Sequence, residues 1–294
     1  RFRSGHIYSS TAKEHVKAHE IAVMATQNGT TVTFSDISPN VIFKNTAVTG
    51  TTSNDITVVL NAGESYVIAA FMDEPGATGN KNDVNGTLIK SNKPIACNTG
   101  SWLSGAHGNG RDIGVDQIVP IEFIGKEYIF VEGDGNANTE RPLVVAEYDN
   151  TSIFVNGSGT AVATINAGEY FFLEQTEYSA NDNIYIETTE PVFMYQSLSG
   201  TNKAATCLNF IPSLRCNGFK KVVIPSVNLV GVATVSITAR ANADVFVNGS
   251  ATPLMGGLTV PGNSCWLTYR IPGGAGNFIV ESDSIINVAL LTLQ

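Results

Sequence analysis

The feature that most constrains this chain is an internal repeat that occurs three times. The first block of the repeat covers Ile21–Asp36, then Leu143–Gly157, then Val235–Gly249. Each block has an alternating apolar segment, a short turn and a second alternating segment. Alternation with period two is typical of a half-buried strand. One unit of this kind cannot bury its apolar faces by itself and must pack against other units. Because every block shows the alternating pattern, the repeat predicts an all-β chain.

Two more blocks follow in the same order in each copy. The second is a glycine turn that leads into an aromatic-rich strand, and it begins at Asn61, Asn166 and Val260. The third is a strand, a polar turn and a strand, and it begins at Thr87, Ile184 and Phe278. We therefore predict three diverged tandem β-sandwich-like repeats, 1–120, 121–215 and 216–294. A propeller-like closed arrangement is the alternative, although one blade usually has only about 40–50 residues.

Composition limits the partners of this chain. Only 15% of its 294 residues are charged and the formal net charge is −9, whereas average proteins have about 25% charged residues. The acidic balance argues against nucleic acid, which requires clustered basic residues. No apolar run approaches the roughly 18 residues of a membrane helix, so we expect no membrane insertion. The polar, uncharged, Thr- and Asn-rich composition predicts an extracellular protein.

The first copy departs from the other two. Its insertion Ile37–Leu60 predicts an extra edge hairpin, and Asp73–Gly86 predicts a polar, flexible loop. The segment Gly100–Gln117 then carries several glycines, which let a backbone approach a ligand or another chain closely. Its chemically capable residues are the predicted ligand-binding set: Trp102, His107, Arg111, Asp112 and Asp116. The alternative is a crossover between copies in which Asp112 and Asp116 cap backbone amides.

No cofactor is required by the sequence, but calcium has a candidate site. Alternating oxygen-bearing side chains suit a calcium loop, and this spacing occurs at Asp134, Asn136, Asn138 and Glu140. A solvated hairpin tip is the alternative. A weaker candidate comprises Asn80, Asn82 and Asp83. His15 and His19 have the spacing of a helical metal pair, but no third ligand is evident nearby.

The four cysteines predict one local disulfide. Cys207 and Cys216 are close in the sequence, in a stretch between copies. Cys97 and Cys265 lie inside apolar patterns, and we interpret both as buried free thiols.

Motifs of enzymes are missing from the sequence. It has no G-x-S-x-G elbow, no H-E-x-x-H and no phosphate loop, so we predict that the chain is not an enzyme. A glycoside hydrolase is kept as an alternative, because paired carboxylates leave no sequence signature.

Three stretches resemble a known family. They begin at Lys17 (KAHEIAVMATQNGTTVTFSD), Ser91 (SNKPIACNTGSW) and Gly110 (GRDIGVDQIVPIEFIGKEYIFVEG). They are similar to the domain named after the amino-terminal region of the IgG Fc-binding mucin-like protein, most of all to bacterial relatives in large secreted proteins of gliding Bacteroidota. Those relatives often carry a type IX secretion and gliding-associated carboxy-terminal domain. The resemblance implies an adhesin-like, secreted or cell-surface protein with no catalytic residues to transfer.

Repeat, composition and resemblance together predict a non-enzymatic extracellular binding module. Its expected partners are glycans or other surface polymers, or neighbouring domains of a larger chain. A structural repeat of a surface filament is the alternative.

Overall fold

The computed structural model shows an all-β chain, as predicted. It describes residues 1–7, 18–45, 51–52, 54–104, 112–133, 140–197, 208–214, 218–227, 232–272 and 276–293. Within these residues the strands are interrupted only by turns and by two short 3-10 segments at Ile121–Phe123 and Gln175–Glu177. None of the helical segments in this part of the chain has the length and apolar character that a bilayer crossing needs.

The first ten strands form two antiparallel sheets. They are β1 (Phe2–Arg3), β2 (Ala18–Ala25), β3 (Thr30–Ser35), β4 (Phe43–Asn45), β5 (Thr51–Thr52), β6 (Ile56–Leu60), β7 (Ser65–Phe71), β8 (Leu88–Ser91), β9 (Ile95–Ser104) and β10 (Asp112–Ile118). Sheet I has the order β1-β8-β3-β6, and sheet II has the order β10-β9-β2-β7-β4-β5. Buried side chains of both sheets, such as Phe34 and Ile68, share one core. The edge hairpin predicted for the first insertion is β4-β5.

Sheets III and IV are each organised by one long strand. Sheet III consists of β11 (Gly125–Val131), β12 (Leu143–Ala146), β13 (Thr151–Val155), β14 (Ala163–Ile165), β15 (Tyr170–Phe172), β16 (Asn183–Ser197) and β17 (Leu208–Phe210). Sheet IV consists of β18 (Phe219–Val227), β19 (Val232–Arg240), β20 (Val245–Val247), β21 (Leu258–Thr259), β22 (Trp266–Pro272) and β23 (Gly276–Leu293). The first part of β16 pairs with β11 and β13, and its second part pairs with β12 and β17. Likewise β23 pairs with β20 near its start and with β19 along its second half. The division at residues 120 and 215, and the choice between a row and a closed ring, stay predictions.

The sequence Asn-Ala-Gly-Glu makes the same closed turn in two places. The carboxylate Oε2 of Glu64 accepts a hydrogen bond from the Asn61 amide at 2.6 Å, and that of Glu169 accepts one from the Asn166 amide at 2.7 Å. The glycine of each turn has φ of 82°, a left-handed conformation that favours glycine. The motif therefore starts β7 and β15 in the same way.

Strand β12 is buried on both faces. Leu143 and Val145 belong to the core shared with sheets I and II, whereas Val144 and Ala146 belong to the separate core of sheet III. All four residues of β12 are apolar, which is typical of a strand without a solvent face. Sheet III therefore packs on the first two sheets through a continuous apolar layer.

A buried ion pair crosses this same junction. The Arg3 Nε donates to the Glu147 Oε2 at 2.8 Å, and the two side chains are 2% and 0% exposed. The Arg3 Nη1 also donates to the Gly86 carbonyl at 2.8 Å and to the Asp36 carboxylate at 2.9 Å. The Tyr195 hydroxyl donates to the Arg3 carbonyl at 2.6 Å. The N-terminal strand of sheet I is thereby fixed to sheet III.

Pairs of left-handed glycines let the sheets approach each other. A Cβ on Gly86 would lie 1.8 Å from the Gly168 carbonyl oxygen, and one on Gly262 would lie 2.3 Å from the Gly157 amide nitrogen. The first pair joins sheets I and III, and the second joins sheets III and IV. No side chain fits at Gly86, Gly157 or Gly262 without moving the facing backbone.

The cysteine predictions have mixed outcomes. Cys97 is a buried free thiol, as predicted, and burial raises its pKa to about 12. The prediction for Cys265 is wrong, because this free thiol is exposed. The apolar pattern suggested a strand residue, but Cys265 lies in the turn before β22 begins at Trp266. Cys207 and Cys216 lie outside the described residues, so their disulfide stays a prediction.

The buried ion pair predicts a large stability difference between two chemically identical substitutions. Glu147→Gln should lower the free energy of unfolding by about 3 kcal/mol, because it removes the buried carboxylate that pairs with both Arg3 and Arg1. Glu281→Gln removes one end of the exposed Lys221–Glu281 pair and should cost less than about 1 kcal/mol. Urea unfolding of both variants measures the difference. Equal effects would contradict the role given to Arg3.

The close contact between Gly86 and Gly168 predicts that two Gly→Ala substitutions differ in their effect on stability. Gly86→Ala and Gly76→Ala impose similar strain, because φ is 85° and 79° at the two positions. A Cβ at Gly76 meets nothing within 4 Å, so that variant should lose only about 1 kcal/mol of stability. Gly86→Ala should lose a further 1–3 kcal/mol or so, because the sheets must move apart. Thermal unfolding of the two variants is the measurement, and matching midpoints would argue against the close approach.

Candidate binding surface

The glycine-rich segment lies where β9 ends and β10 begins. Gly100 in β9 has φ of 152°, and a Cβ there would lie 2.1 Å from the Gly114 carbonyl oxygen in β10. This glycine is therefore explained by the close pairing of the two strands. Among the predicted ligand-binding residues, His107 and Arg111 lie outside the described residues. Asp112 is the first residue of β10, and its side chain also lies outside the described part.

The strand register separates Trp102 from Asp116. Asp116 pairs with Thr99, which in turn pairs with the fully buried Ile21 on the inner face of sheet II. Trp102 is three residues further along β9, so alternation directs its side chain to the outer face. It is 54% exposed. These two predicted site residues therefore cannot contact one ligand from the same face.

The carboxylate of Asp116 accepts hydrogen bonds from backbone amides, as in the alternative interpretation of this segment as a crossover. Its Oδ2 accepts a hydrogen bond from the Phe210 amide at 2.7 Å, and its Oδ1 accepts one from the Gln117 amide at 2.7 Å. Burial raises the pKa of this carboxyl, and the two amide hydrogen bonds oppose that rise. Because Phe210 belongs to β17, Asp116 connects sheet II to sheet III.

Trp102 belongs to a small aromatic and cationic cluster, here called the Trp102 surface, which consists of Lys44, Phe71 and Trp102. The Phe71 and Trp102 ring centroids are 6.4 Å apart in an edge-to-face arrangement. The Lys44 ammonium lies 4.8 Å from the Phe71 ring centroid and forms an ion pair with Glu74. Such clusters offer both apolar contact area and a charged hydrogen-bond donor.

Sequence reasoning missed Lys44 and Phe71. Lys44 lies in the inserted edge hairpin, and Phe71 ends the aromatic strand β7. They meet because β4 pairs with β7, and they reach Trp102 because β2 lies between β7 and β9. Two sequence signals pointed to this place, namely the insertion in the first copy and the predicted ligand-binding residue Trp102.

Glu20 lies on the same outer face, between Ala69 and Gly100 in the strand register. Partial burial raises the pKa of its carboxyl. Both register partners of Glu20 are small residues. The carboxyls of Glu20 and Asp116 both have a raised pKa, and they lie on opposite faces of sheet II. These two carboxyls therefore do not form the facing pair that glycoside hydrolysis uses.

The calcium candidates are described only in part. Asp134, Asn136 and Asn138 lie outside the described residues, whereas Glu140 is fully buried and accepts a hydrogen bond from the Gly133 amide at 2.7 Å. Among the described residues, no group of three or more His, Cys, Asp or Glu side chains could hold a metal ion. Calcium binding at this loop stays a prediction.

The weaker calcium candidate has a structural role. The Asn80 Oδ1 accepts a hydrogen bond from the Ile42 amide at 2.8 Å, and its Nδ2 donates to the carbonyls of Ile42 and Phe71. Asn80 is fully buried, so the polar loop of the second insertion turns partly inward.

His19 lies in strand β2 rather than on a helix, with its ring centroid 3.6 Å from that of His6. His15 lies outside the described residues.

Comparison with known proteins gives one match. A family model described as IgGFc binding protein matches residues 3–291, which is nearly the whole chain. No curated protein and no solved structure matches the chain.

Because Trp102 and Asp116 lie on opposite faces of sheet II, replacing each by alanine should change the stability by a different amount. Asp116→Ala should cost about 1–3 kcal/mol, because it leaves the Phe210 amide without its acceptor. Trp102→Ala should change the free energy of unfolding by less than about 1 kcal/mol, because half of the side chain is already in solvent. Chemical denaturation checks both values. The reverse order would show that Trp102 rather than Asp116 is the structural residue.

Proposed function

The chain belongs to the IgGFc binding protein family, and we propose that it is a non-enzymatic extracellular module that binds glycans or other surface polymers through the Trp102 surface. The family match supports a binding role over catalysis. The observation that carries the site is the 54% exposed Trp102 beside Phe71 and Lys44.

The chemistry of the Trp102 surface suits a hydroxylated ligand. Aromatic rings pack against the C–H faces of a sugar while leaving its hydroxyls free for polar contacts. Lys44 supplies a donor, and Glu20 on the same sheet face supplies an acceptor.

We infer the cellular location of the module from the resemblance of its motifs to a known family. The stretch from Gly110 to Gly133 is similar to bacterial relatives of the family, and we propose a secreted or cell-surface adhesin of that branch. Gliding motility and export by type IX secretion are part of this proposal. The description of the family also names IgG Fc, so an Fc fragment belongs among the ligands to be tested.

A second candidate function is supported by sheet IV. Phe219 and Val223 in β18 are 76% and 51% exposed, and Met255 in the loop between β20 and β21 is 85% exposed. Exposed apolar side chains mark a contact surface where they form a contiguous patch. A structural module whose sheet IV contacts neighbouring domains of a surface filament fits this observation.

A glycan array tests the first proposal. We expect saturable binding by the wild-type chain and a loss of at least about tenfold for Trp102→Ala, since stacking on an aromatic ring contributes about 1.4 kcal/mol or more. Met255→Ala removes an exposed apolar side chain from the loop between β20 and β21 and is the matched control. Calcium and a chelator in parallel arms test the metal prediction. If the wild-type chain bound no glycan on the array, either with calcium or with the chelator, glycan binding would be rejected.

A further inference from the structure

A cavity lies at the junction of sheets I and III, and none of its lining residues belongs to the Trp102 surface. It has a volume of about 420 Å³. Its walls come from the segment after β3, from the loop before β8 and from the turn between β14 and β15. The polar side chains that line it are Asp36, Ser38, Asp83, Asn85, Glu169 and Tyr170.

Asn85 supplies a hydrogen-bond donor that the described residues do not use. The residue is 4% exposed, and its Oδ1 accepts a hydrogen bond from the His6 amide at 2.7 Å. Its Nδ2 is buried and has no partner among the described residues. An unpaired buried donor is costly, so an acceptor atom in the cavity would stabilise this arrangement.

The charge of the cavity is negative. Three carboxylates line it, those of Asp36, Asp83 and Glu169. The Arg3 guanidinium pairs with Asp36 as well as with Glu147, and Glu147 also pairs with Arg1, so the carboxylates of Asp83 and Glu169 give the cavity its negative charge. The cavity therefore favours a ligand that brings positive charge.

Tyr170 occupies only one of the carboxylate oxygens that line the cavity. Its hydroxyl donates to the Asp83 Oδ1 at 3.1 Å. Burial, together with the neighbouring Asp83, raises the pKa of Tyr170 to about 12, so the phenol stays a donor at neutral pH. The second oxygen of Asp83, Oδ2, accepts no hydrogen bond from the described residues.

The arrangement of the carboxylates distinguishes an organic cation from a metal ion. Among the described residues these carboxylates do not form a metal-holding group. An ammonium or guanidinium group carries three to five donors that spread over several acceptors, and its hydrogen bonds to carboxylates are charge-assisted. A volume of this size is adequate for one such side chain with its adjoining backbone.

We propose that this cavity binds the cationic side chain of a lysine or arginine in a partner polypeptide. The ammonium or guanidinium group contacts Asp83 and Glu169, and a carbonyl of the partner accepts the hydrogen bond from the Asn85 Nδ2. The proposal does not depend on glycan binding at the Trp102 surface.

Calorimetric titration of the full chain at low salt tests the site. The probes are the N-acetyl methylamides of lysine and arginine, with the norleucine derivative as the uncharged control and spermidine as a cation without a carbonyl. We expect weak, salt-sensitive binding of the lysine or arginine derivative, with none for norleucine and weaker binding for spermidine. Asp83→Asn should weaken binding by about tenfold, and Glu281→Gln, which removes one remote charge, should have no effect.

The opposing outcomes are distinct. Equal binding of the lysine and norleucine derivatives, or no binding of either cationic derivative, would overturn the proposal. Binding of a neutral methyl glycoside that depends on Asp83, with no cation binding, would assign the cavity to a polyol instead. Glu169→Gln provides a second variant if Asp83→Asn fails to fold, because a glutamine can still accept the Asn166 hydrogen bond.

Discussion

The buried ion pair between Arg3 and Glu147 fixes how sheet I is placed on sheet III. Removing two charges from water is costly, and the cost is offset only when the hydrogen-bond geometry is good. Arg3 meets that condition through Glu147, Asp36 and the Gly86 carbonyl. Strand β1 is only two residues long, so these contacts, rather than strand pairing, hold the amino-terminal segment on sheet III.

The close packing around this pair has consequences for both candidate sites. Because Leu143 and Val145 share the core of sheets I and II, the inner face of sheet II is covered, and only the outer face, with Trp102, is available to a partner. The approach of Gly86 to Gly168 places Asp83 and Glu169 on the walls of one cavity. The two surfaces differ in chemistry, since one is aromatic and cationic and the other is acidic.

The alternation of apolar residues was sufficient to predict strands, and the first insertion correctly predicted the edge hairpin β4-β5. The prediction for Cys265 was wrong because an apolar pattern does not show where a turn ends and a strand begins. Trp102 and Asp116 were grouped because they lie in one segment, yet the β9-β10 register places them on opposite faces. Burial on both sides, as in β12, was also not foreseen, because a short apolar run shows only that a strand is buried.

The sequence by itself determined the local structure of this protein. Period-two alternation dictates strands, and Asn-Ala-Gly-Glu dictates a closed turn, because these effects act between residues that are close along the chain. Only the tertiary structure decided which distant residues meet. Arg3 and Glu147, Trp102 and Phe71, and Asp83 and Tyr170 are brought together by strand order and by the contact between sheets, and no pattern within a single segment contains that information.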